Sequence, residues 1–403
     1  MISKVAFLSF HTCPLIPPGS GDAGGMNVYI DELASMMVAR GVAVDVFTRR
    51  TGPEDLGIVE APGGYRVIHV TAGPHEKLPK VASAQYVASF AAAVADFGTG
   101  HRYDLVHSHY WLSGWAGLLI KRRLGTPLAN SFHTLGRVKD ASRRDGEPPE
   151  SLLRIAAEHD VLAGSDCVIA STPLEAEDLL LHYGADPTRL CISPPGVNHD
   201  IFKPGDRDLR RADLGLPSDG PIVLFVGRIQ PLKGIDVAVE AFTRILDQFP
   251  AARLVIVGGP SGAQGDGELA LARSLVVDAG LSDQVLFHDP VDHVTLAGYY
   301  QAADILLVPS RSESFGLVAV EAQACGLPVV AANVGGLTYA ITDGESGFLV
   351  DGWDPGDYAE VMRDILGDRE LANRLSKGGI EHADLFSWEA TTNRFFELYD
   401  GIL

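Results

Sequence analysis

Two carboxylates eight residues apart, Glu313 and Glu321, stand in the segment Ser310-Arg311-Ser312-Glu313-Ser314-Phe315-Gly316-Leu317-Val318-Ala319-Val320-Glu321. The apolar run Ile305-Leu306-Leu307-Val308-Pro309 precedes them, and Gly326 and Pro328 follow. Such a run reads as a buried parallel strand, and the glycine and proline as helix-ending signals. Glu313 is thus expected on the loop at the carboxyl end of a strand, and Glu321 inside the next helix. Ligands of an open parallel sheet bind at that end. Glu313 can face a polyhydroxyl group there, and Glu321 can accept from a pair of neighbouring hydroxyls. The N–H groups of Ser314, Phe315, Gly316, Leu317 and Val318 open the helix and can hold an anion. Spacing alone also fits two solvated helix carboxylates; the strand–loop–helix context is what points to a ligand.

A basic pair forms the second constellation. Arg228 and Lys233 lie five residues apart between Gly227 and Gly234, directly after the apolar run 222–226. Two cations leaving one strand can share a diphosphate, whereas on an exposed turn they would only meet water. His133 stands just past the strand expected at 127–132, where a histidine is either a structural hydrogen-bonding group or faces a ligand. Gly19-Ser20-Gly21-Asp22-Ala23-Gly24 matches G-x-G-x-x-G, but it begins too far beyond the first strand for a dinucleotide turn, and Asp45 sits inside a strand instead of at its tip. Asp206-Arg207-Asp208 has the order of a metal-binding Asp-x-Asp. It lies in the charged, Pro-flanked stretch 204–211 with no strand before it, and reads as solvated linker.

The elements that must position these residues alternate. Strands are expected at 5–10, 42–47, 65–70, 105–107, 127–132, 167–170 and 190–193, with helices at 27–39, 80–97, 150–162 and 175–182. After Pro194-Pro195-Gly196 a second set begins: strands at 222–226, 254–257, 285–288, 305–309, 329–332 and 347–350, and helices at 235–249, 268–279, 294–302, 358–366, 371–378 and 389–399. The pattern implies an α/β protein of two Rossmann-like, doubly wound parallel-sheet domains, 1–196 and 197–383, facing a cleft. The 403 residues are enough for both. A net charge of −20, from 32 Lys and Arg against 52 Asp and Glu, disfavours nucleic acid and anionic membranes as partners. Four scattered cysteines without a C-x-x-C read as reduced thiols, the N-terminus lacks signal-peptide character, and no apolar run reaches membrane-spanning length. A cytoplasmic location is expected.

Glu313 to Glu321 resembles the E-x7-E signature of the family-4 retaining glycosyltransferases, which have the GT-B fold. Gly227-Arg228 to Lys233-Gly234 resembles that family's diphosphate motif, and Phe132-His133 its histidine motif. The resemblance implies that Glu313 contacts the donor sugar, Glu321 the nucleotide ribose, and Arg228, Lys233 and the backbone of Gly25 the diphosphate. It implies that His133 bonds the sugar's 6-hydroxyl and supports an oxocarbenium-like state, with front-face attack. It also implies that the final segment, 384–403, crosses back to the N-terminal domain. His11-Thr12, Gly21-Asp22-Ala23-Gly24-Gly25-Met26-Asn27 and His107-Ser108-His109-Tyr110-Trp111 resemble members that glycosylate inositol phosphate. By that likeness His11 and Asp22 lie at the acceptor, and Asn27, Lys80, Tyr110, Thr134 and Arg154 bind its phosphate. Residues 131–139 are nearer to sucrose-phosphate-synthase-like members, Val291 stands where an arginine near uracil is expected, and Gln301 where an arginine near a bound magnesium is expected.

The implied enzyme is a retaining, UDP-sugar-dependent hexosyltransferase. It moves N-acetylglucosamine or glucose to a small phosphorylated polyol such as inositol phosphate, in the setting of mycothiol biosynthesis. No cofactor is essential, since the UDP-sugar is a substrate; Mg2+ is compatible but not required. The expected partners are the nucleotide sugar and a small polar acceptor, with a homodimer as one oligomeric form. Other readings are a sucrose-phosphate-synthase-like or secondary-metabolite transferase, a GT-B sugar-nucleotide epimerase, and a nucleotide-binding module without catalysis.

Overall fold

The computed structural model describes residues 2–144, 146–262 and 264–403. The first sheet contains β1 (Lys4–Leu8), β2 (Ala43–Arg49), β3 (Ile58–Glu60), β4 (Arg66–Val70), β5 (Leu105–His109), β6 (Leu128–Ser131), β7 (Cys167–Ala170) and β8 (Leu190–Ile192). Their order is β3-β4-β2-β1-β5-β6-β7-β8, parallel except for the antiparallel edge pair β3–β4. The second sheet contains β9 (Ile222–Val226), β10 (Arg253–Val257), β11 (Val285–His288), β12 (Ile305–Val308), β13 (Val329–Ala332) and β14 (Phe348–Val350). It runs β11-β10-β9-β12-β13-β14, parallel throughout. The central strands are buried on both faces, which is why they read as unbroken apolar runs. Strand order reverses between β1 and β5 in one sheet and between β9 and β12 in the other, so each opens a crevice at its carboxyl edge.

The two sheets are joined twice. Val197 and Ser387 bridge where the chain passes between the domains, and a Cβ on Gly196 would meet Trp388 N at 2.1 Å. The helix Trp388–Asp400 then lies on the helix Gly25–Ala39, and its Trp388, Phe395 and Tyr399 enter the core beside β1. Arg144 pairs with Glu268 and Asp236 of the second domain, and the Ser314 hydroxyl donates to the His133 carbonyl. The cleft is closed by direct contact.

Several expectations need correction. The helix expected at 80–97 is broken into Lys80–Ser83, a 3-10 turn at Ala84–Tyr86, and Val87–His101. The Ser83 hydroxyl donates to the Lys80 carbonyl at 2.7 Å, a local bond that competes with helix continuation. The stretch 204–211 is not all linker: Asp206 caps the helix Arg207–Asp213 by accepting from Leu209 N at 3.0 Å, and Arg207 and Arg211 both pair with Asp304. The helix Tyr110–Leu124 was not legible. It is buried almost all round, so it carries no amphipathic stripe, and Gly114 and Gly117 let it press onto Val161 and Leu128. Among the described residues no helix is long and apolar enough to cross a membrane.

Candidate active site

The cavity between the domains is walled by the loops that leave the carboxyl ends of the strands. His11 follows β1, Tyr110 follows β5, His133 follows β6, Arg228 follows β9, and Ser312 to Val318 follow β12. The backbone is held in unusual shapes here. Of the three described non-glycine residues with positive φ, two are Tyr110 (77°) and His133 (60°), a conformation that persists only where the surroundings enforce it.

On the second domain, Lys233 pairs with Glu313, so a cation and a carboxylate from two adjacent strand-end loops meet at the cavity. Gly316, at φ 102°, is the N-cap of the helix Leu317–Ala324; a side chain there would strike Leu337 at 2.7 Å. This turn aims the first N–H groups of the helix at the cavity, where they and the helix dipole favour an anion. Glu321 lies one helical turn deeper, accepts from Tyr300 OH at 2.9 Å, and has its pKa raised by burial. Arg311 braces the basic loop by donating to the Pro231 carbonyl at 2.9 Å and to Asp236 at 2.8 and 3.1 Å. It is a supporting residue that the sequence did not single out.

On the first domain, the Gly-rich loop leans over that site. Asp22 pairs with Lys80 at 2.8 Å, and a Cβ added to Gly25 would meet Leu317 Cδ1 at 3.3 Å. Tyr110 is flanked by cations, with Lys80 Nζ 5.9 Å and Arg154 5.1 Å from its ring centroid. The His11 ring lies 4.7 Å from Tyr110, and burial together with Lys80 lowers His11 to about 3. Burial also lowers Lys80, with Asp22 opposing the change. His133 is lowered to about 3 by burial, so its imidazole is neutral.

Sixteen of the expected residues line this cavity: His11, Asp22, Gly25, Lys80, Tyr110, His133, Thr134, Arg228, Lys233, Glu313, Ser314, Phe315, Gly316, Leu317, Val318 and Glu321. Two do not. Asn27 is buried, donates to Thr12 Oγ1 and the Cys13 carbonyl, and accepts from Gly24 N at 3.2 Å, so its amide is spent on holding the loop to the helix Gly25–Ala39. Arg154 lies one layer behind the wall. Its Nε donates to Glu158 at 2.7 Å, Nη1 pairs with Glu150 at 3.0 Å, and Nη2 donates to both the carbonyl and the hydroxyl oxygen of Thr134 at 3.0 Å. Lys139, Ser171, Gln230 and His293 also line the cavity. Ser171 directly follows β7, so the strand-end rule had pointed to its position.

A cleft between two such sheets, with a basic pair and a helix N-terminus on one side and a carboxylate beside them, fits a GT-B glycosyltransferase. The chain belongs to that class: residues 206–382 match the family "Glycosyl transferases group 1", and residues 24–196 match the "Glycosyl transferase 4-like domain". It is 48% identical to the D-inositol 3-phosphate glycosyltransferase of Geodermatophilus obscurus, over 98% of this chain and 89% of that protein. It is 45% identical to the protein of the same name from Thermomonospora curvata, over 99% and 96%. Among solved structures, sucrose-phosphate synthase from Thermosynechococcus elongatus superposes with a TM-score of 0.93 at 35% identity, over 99% of this chain and 98% of that one. Anabaena HepE in complex with UDP and glucose superposes at 0.80 with 19% identity, over 99% and 100%, a likeness of fold. The protein is a glycosyltransferase.

Proposed function

We propose that the protein transfers a hexosyl group, N-acetylglucosaminyl or glucosyl, from a UDP-sugar to inositol phosphate or a similar phosphorylated polyol, with retention of anomeric configuration. The supporting observation is that two separate cationic positions face one cavity: Arg228 and Lys233 on one wall, Lys80 beside Tyr110 and Thr134 on the other. One suits a diphosphate, the other a phosphate monoester. The names of the relatives above agree with the second.

In this reading Arg228, Lys233 and the N–H groups opening the helix Leu317–Ala324 stabilise the charge that develops on the departing diphosphate, where other folds use a metal. Glu313 binds sugar hydroxyls and Glu321 the ribose. Lys80 and the Tyr110 hydroxyl donate to the acceptor phosphate. Because Arg154 donates to the Thr134 hydroxyl oxygen, the Thr134 proton is left to point at the same phosphate. Arg154 thus acts from behind, by orientation and positive potential. The acceptor hydroxyl attacks C1 on the face from which the diphosphate leaves, and its proton passes to the leaving phosphate oxygen. Arg66 and Tyr103 hold Asp45 within the sheet, which removes it from a dinucleotide role.

A panel of UDP- and GDP-sugars against phosphorylated and plain polyols tests the reading. UDP release that depends on a phosphorylated acceptor, with an α-linked product by proton NMR, is expected. A β-linked product, or interconversion of the nucleotide sugar without transfer, overturns it.

A further inference from the structure

We infer that His109 is a positioning residue that fixes His133 as an Nδ1–H donor toward the bound ligand, so that His133 is not the base of the reaction. The second half rests on the reading of the cavity given above; the proton position rests on geometry alone.

His109 is the last residue of β5 and is fully buried. Its Nδ1 lies 3.0 Å from His133 Nε2, and the two rings meet edge to edge with centroids 5.2 Å apart and planes 28° apart. On its other side His107 approaches to a centroid distance of 4.2 Å, with its own nitrogens bound to Tyr399 OH at 2.7 Å and Ser131 Oγ at 3.0 Å. Three imidazoles in a row, two of them fully buried and His133 at the cavity wall, are neutral: burial lowers each of them, and each would repel a charged neighbour.

A neutral imidazole has one proton and two nitrogens. Only one of the two facing nitrogens can carry the proton of the His109–His133 bond. His109 Nε2 is buried and has no hydrogen-bond partner among the described residues. The rings of Phe7 and Tyr29, at 5.1 and 5.8 Å, pack beside it. Were His133 the donor, the proton of His109 would sit on Nε2 as a buried N–H with no oxygen or nitrogen acceptor, and an aromatic ring is a second-order substitute. With that proton on Nδ1, only a lone pair goes without a partner. Orphaned buried N–H groups are the rarer and costlier case. His109 therefore donates, His133 Nε2 accepts, and the proton of His133 lies on Nδ1. Among the described residues Nδ1 has no hydrogen-bond partner, and His133 lines the cavity.

Both nitrogens of His133 are then committed. Nε2 has given its lone pair to His109, and Nδ1 already bears a proton and can only donate, to a hydroxyl or phosphate oxygen. A base is missing from this position. When the acceptor O–H bond breaks and its oxygen bonds to C1, the C1–O bond to the diphosphate breaks and the released phosphate oxygen takes the proton, which balances the step without a side-chain base.

The test is a long-range proton–nitrogen correlation spectrum of the full protein carrying ring-labelled histidine, with His133 assigned from the spectrum of His133→Asn. The Nδ1–H pattern for His133 in the unmodified protein is expected, and an Nε2–H pattern overturns the proposal. This outcome is independent of which sugar or acceptor the enzyme uses. His109→Asn, whose amide can still donate, should keep kcat within about threefold; His109→Leu should lose roughly tenfold in kcat with a smaller change in KM, and the unprotonated Nε2 resonance of its His133 should move downfield as the lone pair loses its donor. An unchanged His133 spectrum in His109→Leu also overturns it. Should that variant not fold, the unmodified protein and His109→Asn still decide.

Discussion

A Cβ built on Gly24 would lie 3.0 Å from Arg228 Nε: the Gly-rich loop of one domain seats directly on the cavity-lining guanidinium of the other. A Cβ built on Gly19 would likewise lie 2.9 Å from Pro290 Cβ. Gly24 has φ −168°, an extended backbone that any residue adopts, so a side chain here acts through space alone. Gly24→Val should push Arg228 aside and weaken UDP binding roughly tenfold, the loss of one charge-assisted bond, with little change in thermal midpoint. Calorimetry with equal UDP affinity for both proteins would show that this contact does not position Arg228.

Arg228→Ala and Lys233→Ala should each weaken UDP binding about tenfold to a hundredfold, since a hydrogen bond to a charged group contributes about 1.5–3 kcal/mol. Lys233→Ala also leaves Glu313 without its partner, so its effect on kcat should exceed that of Arg228→Ala. Unaltered UDP affinity in the double variant would remove the diphosphate from this wall.

Glu175 supplies a pH prediction away from the cations. Its side chain is buried at the start of the helix Pro173–Tyr183, accepts from Ser171 N at 2.7 Å, and is raised by burial to about 7. The folded-state value exceeds the unfolded one, so the folded protein holds this proton more tightly. That stability is fully present below about pH 4.5 and is lost as pH rises through 7. Glu175→Gln keeps the acceptor oxygen without the charge. It should be more stable than the unmodified protein at pH 8.5 by on the order of 3 kcal/mol, with the difference shrinking towards pH 5. Parallel melting-temperature profiles for the two proteins across this range would contradict it.

Activity should survive a chelator with at most a modest loss. Arg228, Lys233 and the helix opening at Leu317 already present positive potential to the diphosphate. Abolition by EDTA, with recovery only on adding a divalent ion, would contradict this.

The layout of the site was legible because strand ends are. β12 and β9 are apolar runs followed by loops that close on Gly316 and Gly234, and those features fix where Glu313, Arg228 and Lys233 must sit. Strand ends likewise put Tyr110 and His133 on one rim, and the family resemblance added Lys80 to them. What stayed hidden depends on partners distant in sequence. That Asn27 is consumed by Thr12 and Cys13, or that Arg154 is clamped by Glu150 and Glu158 behind the wall, follows only from packing. The same holds for the His107–His109–His133 row, whose members come from β5 and from the loop after its parallel neighbour β6. The helix Tyr110–Leu124 was missed because a helix buried on nearly every side has no polar stripe to give it a period.

The central claim, transfer to an acceptor whose phosphate sits at Lys80, Tyr110 and Thr134, is tested most directly by steady-state kinetics. Initial rates with UDP-N-acetylglucosamine and UDP-glucose would be measured against inositol phosphate and inositol, in the unmodified protein and in Lys80→Ala. With the better donor, kcat/KM should be at least roughly a hundredfold higher for inositol phosphate, and Lys80→Ala should remove most of that preference while leaving the slow acceptor-free release of UDP nearly unchanged. Equal kcat/KM for inositol phosphate and inositol in the unmodified protein would contradict the account.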